Sequence, residues 1–396
     1  MQNDVHSDML RGQDSYEVVS VVSDCPGVLL LSCEYAPFPG GIATYSSELA
    51  DVVRNSGLRT IVIAPAYDIP VARKDDPDTH RLFGHHRILP RHIPRITSLL
   101  RSAPPNTIVH CADIRSALLV YSLSPMHRRP YRIGIHGSEV SKLTGKSPAL
   151  SLAKRAYAGA EMIVANSQST LDTFTDATAY TGRTSVGYLG VDSQWFVDPA
   201  GAFEHAELAS LGDAPVFCAV GRVEPRKGQV DAVRMLARAR EGHGLVDPVF
   251  VVAGHLEVPS YADDVRRTAA EFGIRLVMTG RLGSDDVKRL YRRSVCHLLM
   301  ASDQPGRREG FGLVLIEAAA GGCPSISTAT GGIPEALGNS GVVVAPGDIE
   351  AGAVAAAAYA RDATMRARAA EEARRHAETF TWLSCAKETY PELPLS

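Results

Sequence analysis

No stretch of the 396 residues approaches the ~18–20 consecutive apolar positions that a bilayer-spanning helix needs. Charge of one sign is lacking too. The 41 Lys and Arg nearly cancel the 44 Asp and Glu, leaving a formal net of −3, which excludes a surface that coats nucleic acid along its whole length. Cysteine is sparse and unpatterned: Cys25, Cys33, Cys111, Cys218, Cys296, Cys323 and Cys385 are scattered, without a CxxC pair or a His/Cys cluster at ligand spacing. They read as buried thiols rather than a disulfide framework. Aromatic residues make up only 6%. The opening MQNDVHSDMLRGQDSYEVVS is polar and mixed in charge, unlike a secretory signal, so a frayed leader on a cytoplasmic protein is expected. Apolar residues, in contrast, reach 45%, which excludes disorder. At roughly 100–200 residues per domain the length suits two domains.

Short apolar runs alternate with amphipathic helices along the chain, the pattern of an α/β fold with parallel sheets. Strands are expected over 28–32, 60–64, 107–110, 131–135, 162–165 and 184–188. A Pro/Gly turn at 37–41 opens a helix with Tyr45, Leu49, Val52 and Val53 on one face and Gly57 beyond its end. After a polar stretch over 198–213 the pattern restarts, with strands over 216–220, 249–252, 275–278, 295–300 and 325–328 and a helix over 228–240. The Ala/Arg-rich run 351–380 reads as one solvated helix. Two open α/β domains place a ligand between them, beyond the carboxyl ends of the strands.

Four segments stand at such ends. Glu309-Gly310-Phe311-Gly312-Leu313 opens a helix, and Glu317 follows about two turns on. Glycines there leave backbone N–H groups free at a helix start, which suits a diphosphate. A carboxylate amid LVLIEAAAGG suits hydrogen bonds from ribose hydroxyls; the bland alternative is a structural glutamate. Gly221-Arg222-Val223-Glu224-Pro225-Arg226-Lys227-Gly228 sets cations in a strand-to-helix turn, where they would neutralise a pyrophosphate from the side opposite the Glu309 helix or merely be solvated. Phe38-Pro39-Gly40-Gly41-Ile42 is a third glycine-exposed helix start, and Ile135-His136-Gly137 offers a histidine at a strand end that is either structural or directed at a substrate hydroxyl.

In this order and spacing, the four segments resemble the retaining GT-B glycosyltransferases of family 4. Ala165-Asn166-Ser167, Gly190-Val191-Asp192, Thr279-Gly280-Arg281, Thr330-Gly331-Gly332-Ile333-Pro334-Glu335 and Phe380-Thr381-Trp382 extend the likeness over nearly the whole chain. The resemblance implies two Rossmann-like domains whose parallel sheets face each other across a cleft: 1–200 on the acceptor side and 201–379 on the nucleotide-sugar side. A final helix over about 380–396 returns to the first. It also implies roles. Glu309 and His136 would stand at the reacting sugar and Glu317 at the ribose. Arg222 and Lys227 would hold the pyrophosphate. Gly41, Gly310, Phe311, Gly312 and Leu313 would line the donor site, with Arg281 and Leu282 at the base. The family often has Pro-Ser shortly before the first Glu, where this chain has Ala301-Ser302 and a longer loop over 303–308.

The activity implied is transfer of a hexosyl group from a nucleoside diphosphate sugar, UDP preferred over GDP, to a hydroxyl of a small-molecule or lipid-linked acceptor. A nucleotide-sugar epimerase and a non-catalytic sugar-nucleotide-binding module are the alternatives. Asp76-Pro77-Asp78 is formally a metal-binding DxD, but it sits in a polar, turn-rich run. With cations and helix starts supplying the charge, neither metal nor other cofactor is expected. The basic run 81–101 (Arg81, His85, His86, Arg87, Arg91, His92, Arg95, Arg101) reads as a solvated face, with a peripheral contact at the inner membrane surface as the functional alternative. No nucleic-acid partner is expected.

Overall fold

The computed structural model describes residues 26–67, 76–84, 88–143 and 147–396. Cys25, Lys74, His85, His86 and Arg87 lie outside them. The first sheet has seven parallel strands: β1 (Val28–Leu31), β2 (Thr60–Pro65), β3 (Thr79–Phe83), β4 (Ile108–Cys111), β5 (Arg132–Ile135), β6 (Met162–Ala165) and β7 (Arg183–Val186), in the order β3-β2-β1-β4-β5-β6-β7. The second has six: β8 (Val216–Val220), β9 (Val249–Ala253), β10 (Arg275–Gly280), β11 (Cys296–Leu299), β12 (Ser325–Thr328) and β13 (Val342–Val344), in the order β10-β9-β8-β11-β12-β13. Both are doubly wound. Each reverses strand order beside its first strand, at β1/β4 and β8/β11, so crevices open at those carboxyl ends. The architecture is the expected α/β pair of Rossmann-like sheets.

The strands form where apolar runs are buried on both faces, as in Val-Leu-Leu-Leu of β1, all four fully covered. Beyond β1 the helix Gly41–Asn55 buries Tyr45, Leu49 and Val53 at four-residue spacing and ends at Gly57, whose φ of 73° favours glycine. Asp113 ties the two strand ends at the reversal together. Its carboxylate caps the helix Ile114–His127 and accepts the Cys33 N–H at 2.7 Å.

Two expectations are corrected. The Ala/Arg-rich run is two helices, Ile349–Arg361 and Ala363–Ala377, parted by Asp362, whose side chain caps the second by accepting the Met365 N–H at 2.8 Å. Nor is it solvated. Ala353, Ala356, Ala357 and Tyr359 share a core with Met235 and Leu236 of the helix Gln229–His243, and small side chains let the two backbones approach closely. Arg81 likewise belongs to the structure rather than to a solvated basic face. It donates to Pro65 O and Ala36 O (2.9 and 2.8 Å) and lies over the Tyr35 ring. Arg91, Arg95 and Arg101 of the same run are exposed. No helix among the described residues is long and apolar enough to cross a membrane.

The chain crosses between the sheets twice. Val191 N–H donates to Phe380 O (3.0 Å), so the outward and returning segments run side by side. The helix Trp382–Thr389 then packs on the helix Gly41–Asn55. Arg132 donates to Thr389 O (2.8 Å), and the Tyr390 hydroxyl meets Nδ1 of the buried His110 at 2.8 Å.

Candidate active site in the interdomain cleft

The carboxyl ends of the two sheets enclose a cavity of about 730 Å³. All the singled-out residues line it: Gly41 and His136 from the first domain, and Arg222, Lys227, Arg281, Leu282, Gly310, Phe311, Gly312, Leu313, Glu309 and Glu317 from the second. Two helices begin at this cavity with glycine rather than a capping side chain: Gly41–Asn55 behind Gly40, and Leu313–Ala320 behind Gly312 at φ 94°. A Cβ on Gly41 would meet no atom within 4 Å, so the backbone there is open to the cleft. Helix starts without side-chain caps keep N–H groups and positive dipole ends for an anion.

Between these starts lies a buried charge cluster. One oxygen of Glu309, Oε2, accepts from both Lys227 Nζ, at 2.8 Å, and Arg226 Nη1. Arg226 in turn donates to Glu224 (2.8 Å), which also pairs with Arg307 (3.0 Å). Burial alone would raise the Glu309 pKa, but Lys227 and Arg226 outweigh it and bring it to about 2. Lys227 therefore stands directly on Glu309. Arg222 is different: its side chain is 52% exposed and only loosely paired, 3.3 Å from Glu224 and 3.9 Å from Glu257. Glu317, one face further along its helix, has its pKa raised by burial to about 7 against the opposing pull of Lys227.

On the opposite wall His136 is locked. Its Nε2–H donates to Ala112 O at 2.8 Å, and the ring meets the edge of Tyr45 at 4.8 Å between centroids. That bond leaves Nδ1 as the ring's acceptor atom. Asp76 and Asp78 are remote from this cavity. They precede β3 at its amino end, beside Arg54 (3.8 Å) and Arg59 (3.9 Å) respectively. Among the described residues no group of three or more His, Cys, Asp or Glu is placed to hold a metal ion.

Sequence reasoning passed over three residues here. Arg226 looked like one more solvated cation, yet only 6% of its side chain is exposed. Its place immediately after Pro225, in the short helical turn Pro225–Lys227, is the signal that turns it inward. Glu224 is buried beneath the same turn. Glu34, just past β1, is a half-buried carboxylate on the cleft wall, raised in pKa by burial and by Asp113; its position three residues after a buried strand was the available clue.

Known proteins share this plan. The family model described as glycosyl transferases group 1 matches residues 202–376, and the one described as glycosyltransferase family 4 matches residues 39–195. A Mycolicibacterium smegmatis protein named as a GDP-mannose-dependent alpha-(1-6)-phosphatidylinositol monomannoside mannosyltransferase is 27% identical over 346 residues, 82% of this chain and 86% of its own. A Methanocaldococcus jannaschii protein named as an uncharacterized glycosyltransferase is 23% identical over 91% of this chain and 96% of its own. In fold, the chain is similar to HepE of Anabaena in a crystal structure with UDP, at a TM-score of 0.72 and 19% identity over 92% of this chain and 98% of that one. It is also similar to a sucrose-phosphate synthase of Thermosynechococcus elongatus, at 0.71 and 19% over 93% and 98%. With both halves of the chain matched and the parallel sheets closing on one cleft, this protein belongs to the GT-B glycosyltransferases of family 4, enzymes that transfer sugars.

Proposed function

We propose that the chain moves a hexosyl group from a nucleoside diphosphate sugar to an acceptor hydroxyl with retention of configuration, and without a metal. The observation that carries this reading is the convergence, on one cavity, of two helix starts, the exposed Arg222 and the Lys227–Glu309–Arg226 cluster. Arg222 and Lys227 take the diphosphate together with the Leu313–Ala320 helix start. Glu317 receives the ribose hydroxyls, and Arg281 and Leu282 flank the base. Glu309 and His136 face the sugar from opposite walls.

In the reaction the bond from the sugar's anomeric carbon to the phosphate oxygen breaks as the acceptor oxygen bonds that carbon from the same face. The acceptor's proton passes to the leaving phosphate oxygen. The protein contributes positioning and stabilisation of the departing charge. No second carboxylate is needed under this scheme, and Glu309, held ionised by two cations, is a poor proton acceptor.

For the nucleotide, the mycolicibacterial relative named as GDP-mannose-dependent favours GDP over the UDP preferred on sequence grounds. The same relative's name favours an acceptor built on a phosphorylated cyclitol or its lipid. Relatives named as glycosyltransferases count against the epimerase and the binding module. The deciding experiment is calorimetric titration with GDP and UDP, followed by product analysis with the matching hexose donors. An α-glycoside from an α-linked donor is expected. A β-linked product by anomeric proton coupling would overturn retention, and hexose epimerisation without acceptor would restore the epimerase.

A further inference from the structure

The seam between the domains contains a helix start that is finished by the other domain. In the helix Gln168–Thr178 of the first domain, the Thr170 N–H donates to the local cap, Ser167 Oγ, at 3.0 Å. The two preceding amides do not use that cap. Gln168 N–H and Ser169 N–H donate to the two carboxylate oxygens of Glu335, at 2.6 and 2.8 Å. Glu335 belongs to the helix Ile333–Leu337, which follows β12 in the second domain. One carboxylate thus spans the cleft's rear wall and closes a foreign helix, two charge-assisted bonds aligned with that helix's dipole.

The contact runs straight into the donor segment. Ser167 Oγ also donates to Gly310 O at 2.6 Å, the carbonyl between Glu309 and Phe311. Asn166 Nδ2 donates to His136 O (3.3 Å). A Cβ on Gly310 would stand 1.8 Å from His136 O, and one on Gly332 would stand 2.2 Å from Gly310 O, so only glycine permits this approach. The first crossover segment takes part as well. The Tyr188 ring lies 5.8 Å from that of Phe311. Domain closure and the shape of the Glu309-Gly310-Phe311 segment are therefore joined through one set of groups.

We propose that Glu335 is a positioning residue that latches the closed cleft: by capping the helix Gln168–Thr178 it seats Ser167 on the Gly310 carbonyl and so fixes the donor-sugar segment. The inference rests on the function proposed above. When the cleft opens, the Gln168 and Ser169 amides pass to water and Gly310 O loses its Ser167 and Thr170 donors. The latch thus acts on the closed state alone and biases the equilibrium toward it. Glu335 is not among the residues lining the cavity, so its effect falls on assembly of the site rather than on nucleotide contact.

The test uses Glu335→Ala and the size-conserving Glu335→Gln in the full chain. Calorimetry with GDP and UDP should give nucleotide affinities within about twofold of the parent, while kcat falls by about ten- to a hundredfold in the Ala variant, the range for losing one or two charge-assisted hydrogen bonds. Gln, which keeps one acceptor, should recover part of that rate. In small-angle scattering the nucleotide-bound Ala variant should keep a larger radius of gyration than the parent. Hydrogen exchange at the Gln168 and Ser169 amides should accelerate in the Ala variant, and this readout stands even if no nucleotide sugar is turned over, so it separates failure of the latch from failure of the proposed function. Unchanged amide exchange and radius of gyration would overturn the proposal. So would a fall in nucleotide affinity as large as the fall in kcat.

Discussion

Lys227 and Glu309, 82 residues apart in sequence, meet at 2.8 Å on the carboxylate oxygen that Arg226 also reaches. The pair joins the turn after β8 to the segment after β11, the two strand ends that define the second domain's crevice. Glu309→Gln should cost about 3 kcal/mol of stability, because removing one partner leaves buried cations uncompensated. Since the folded-state pKa is depressed to about 2 from 4.5, this contribution is fully present above the unfolded value and is lost as pH falls toward 2. Urea unfolding of both forms should show a constant gap near neutrality that narrows below pH 4.5. A gap independent of pH through the acid range would contradict the ion cluster.

Arg222 and Lys227 should separate when each is changed to Ala. Both variants should bind nucleoside diphosphate about 2–3 kcal/mol more weakly, as expected for a lost charged hydrogen-bonding partner. Only Lys227→Ala should also lower the melting temperature, since it strips Glu309 of one cation, whereas exposed positions such as Arg222 rarely shift stability beyond about 0.5 kcal/mol. Calorimetry and thermal melts on the same preparations check both. Full affinity in the two variants would remove them from the diphosphate site.

Glu317 gives a pH signature of opposite sign. Its folded-state pKa is raised to about 7 from 4.5, so the folded chain holds the proton longer than the unfolded one. Stability therefore declines as pH rises from about 4.5 to about 7, and Glu317→Gln should flatten that part of the profile. Ribose hydroxyls donating to this carboxyl would favour its ionised form. Nucleotide binding just below pH 7 should then release a proton, visible as a buffer-dependent heat in calorimetry and missing from the Gln variant.

Transfer should survive EDTA, because Arg222, Lys227 and the helix start at Leu313 supply the positive charge a divalent ion would bring. Activity that vanishes on chelation and returns with Mg²⁺ or Mn²⁺ would require a metal site other than Asp76 and Asp78, which stand at the amino end of β3.

What the sequence made legible follows burial. The strands over 216–220 and 325–328 were readable to the residue, since short apolar runs buried in a parallel sheet leave sharp edges. β3 was not read: Thr-His-Arg-Leu-Phe is an edge strand with one fully buried side chain, so it carries no apolar run. β13, at three residues, is too short for periodicity to register. Asp362 divides two helices without Gly or Pro, through a cap that resembles any surface aspartate until its amide partner is placed. The cleft residues were legible because they follow strand ends. The Arg226 link and the Glu335 cap were not, because each depends on a partner far away in the chain. Nothing local in Ile-Pro-Glu-Ala-Leu marks its carboxylate as the end of another domain's helix.

The doubled crossing fixes an order of events in synthesis. All seven strands of the first sheet leave the ribosome before any strand of the second, yet His110, a wholly buried residue of β4, receives its Nδ1 partner only from Tyr390. Arg132, 4% exposed, has Glu161 within the first domain but likewise waits for Thr389 O and Glu392. A nascent chain of that first sheet alone therefore carries buried polar groups that are only partly satisfied, each a destabilising debt until the returning helix docks. The first domain to be translated is the last to be finished, and its maturation is tied to completion of the domain that holds the nucleotide.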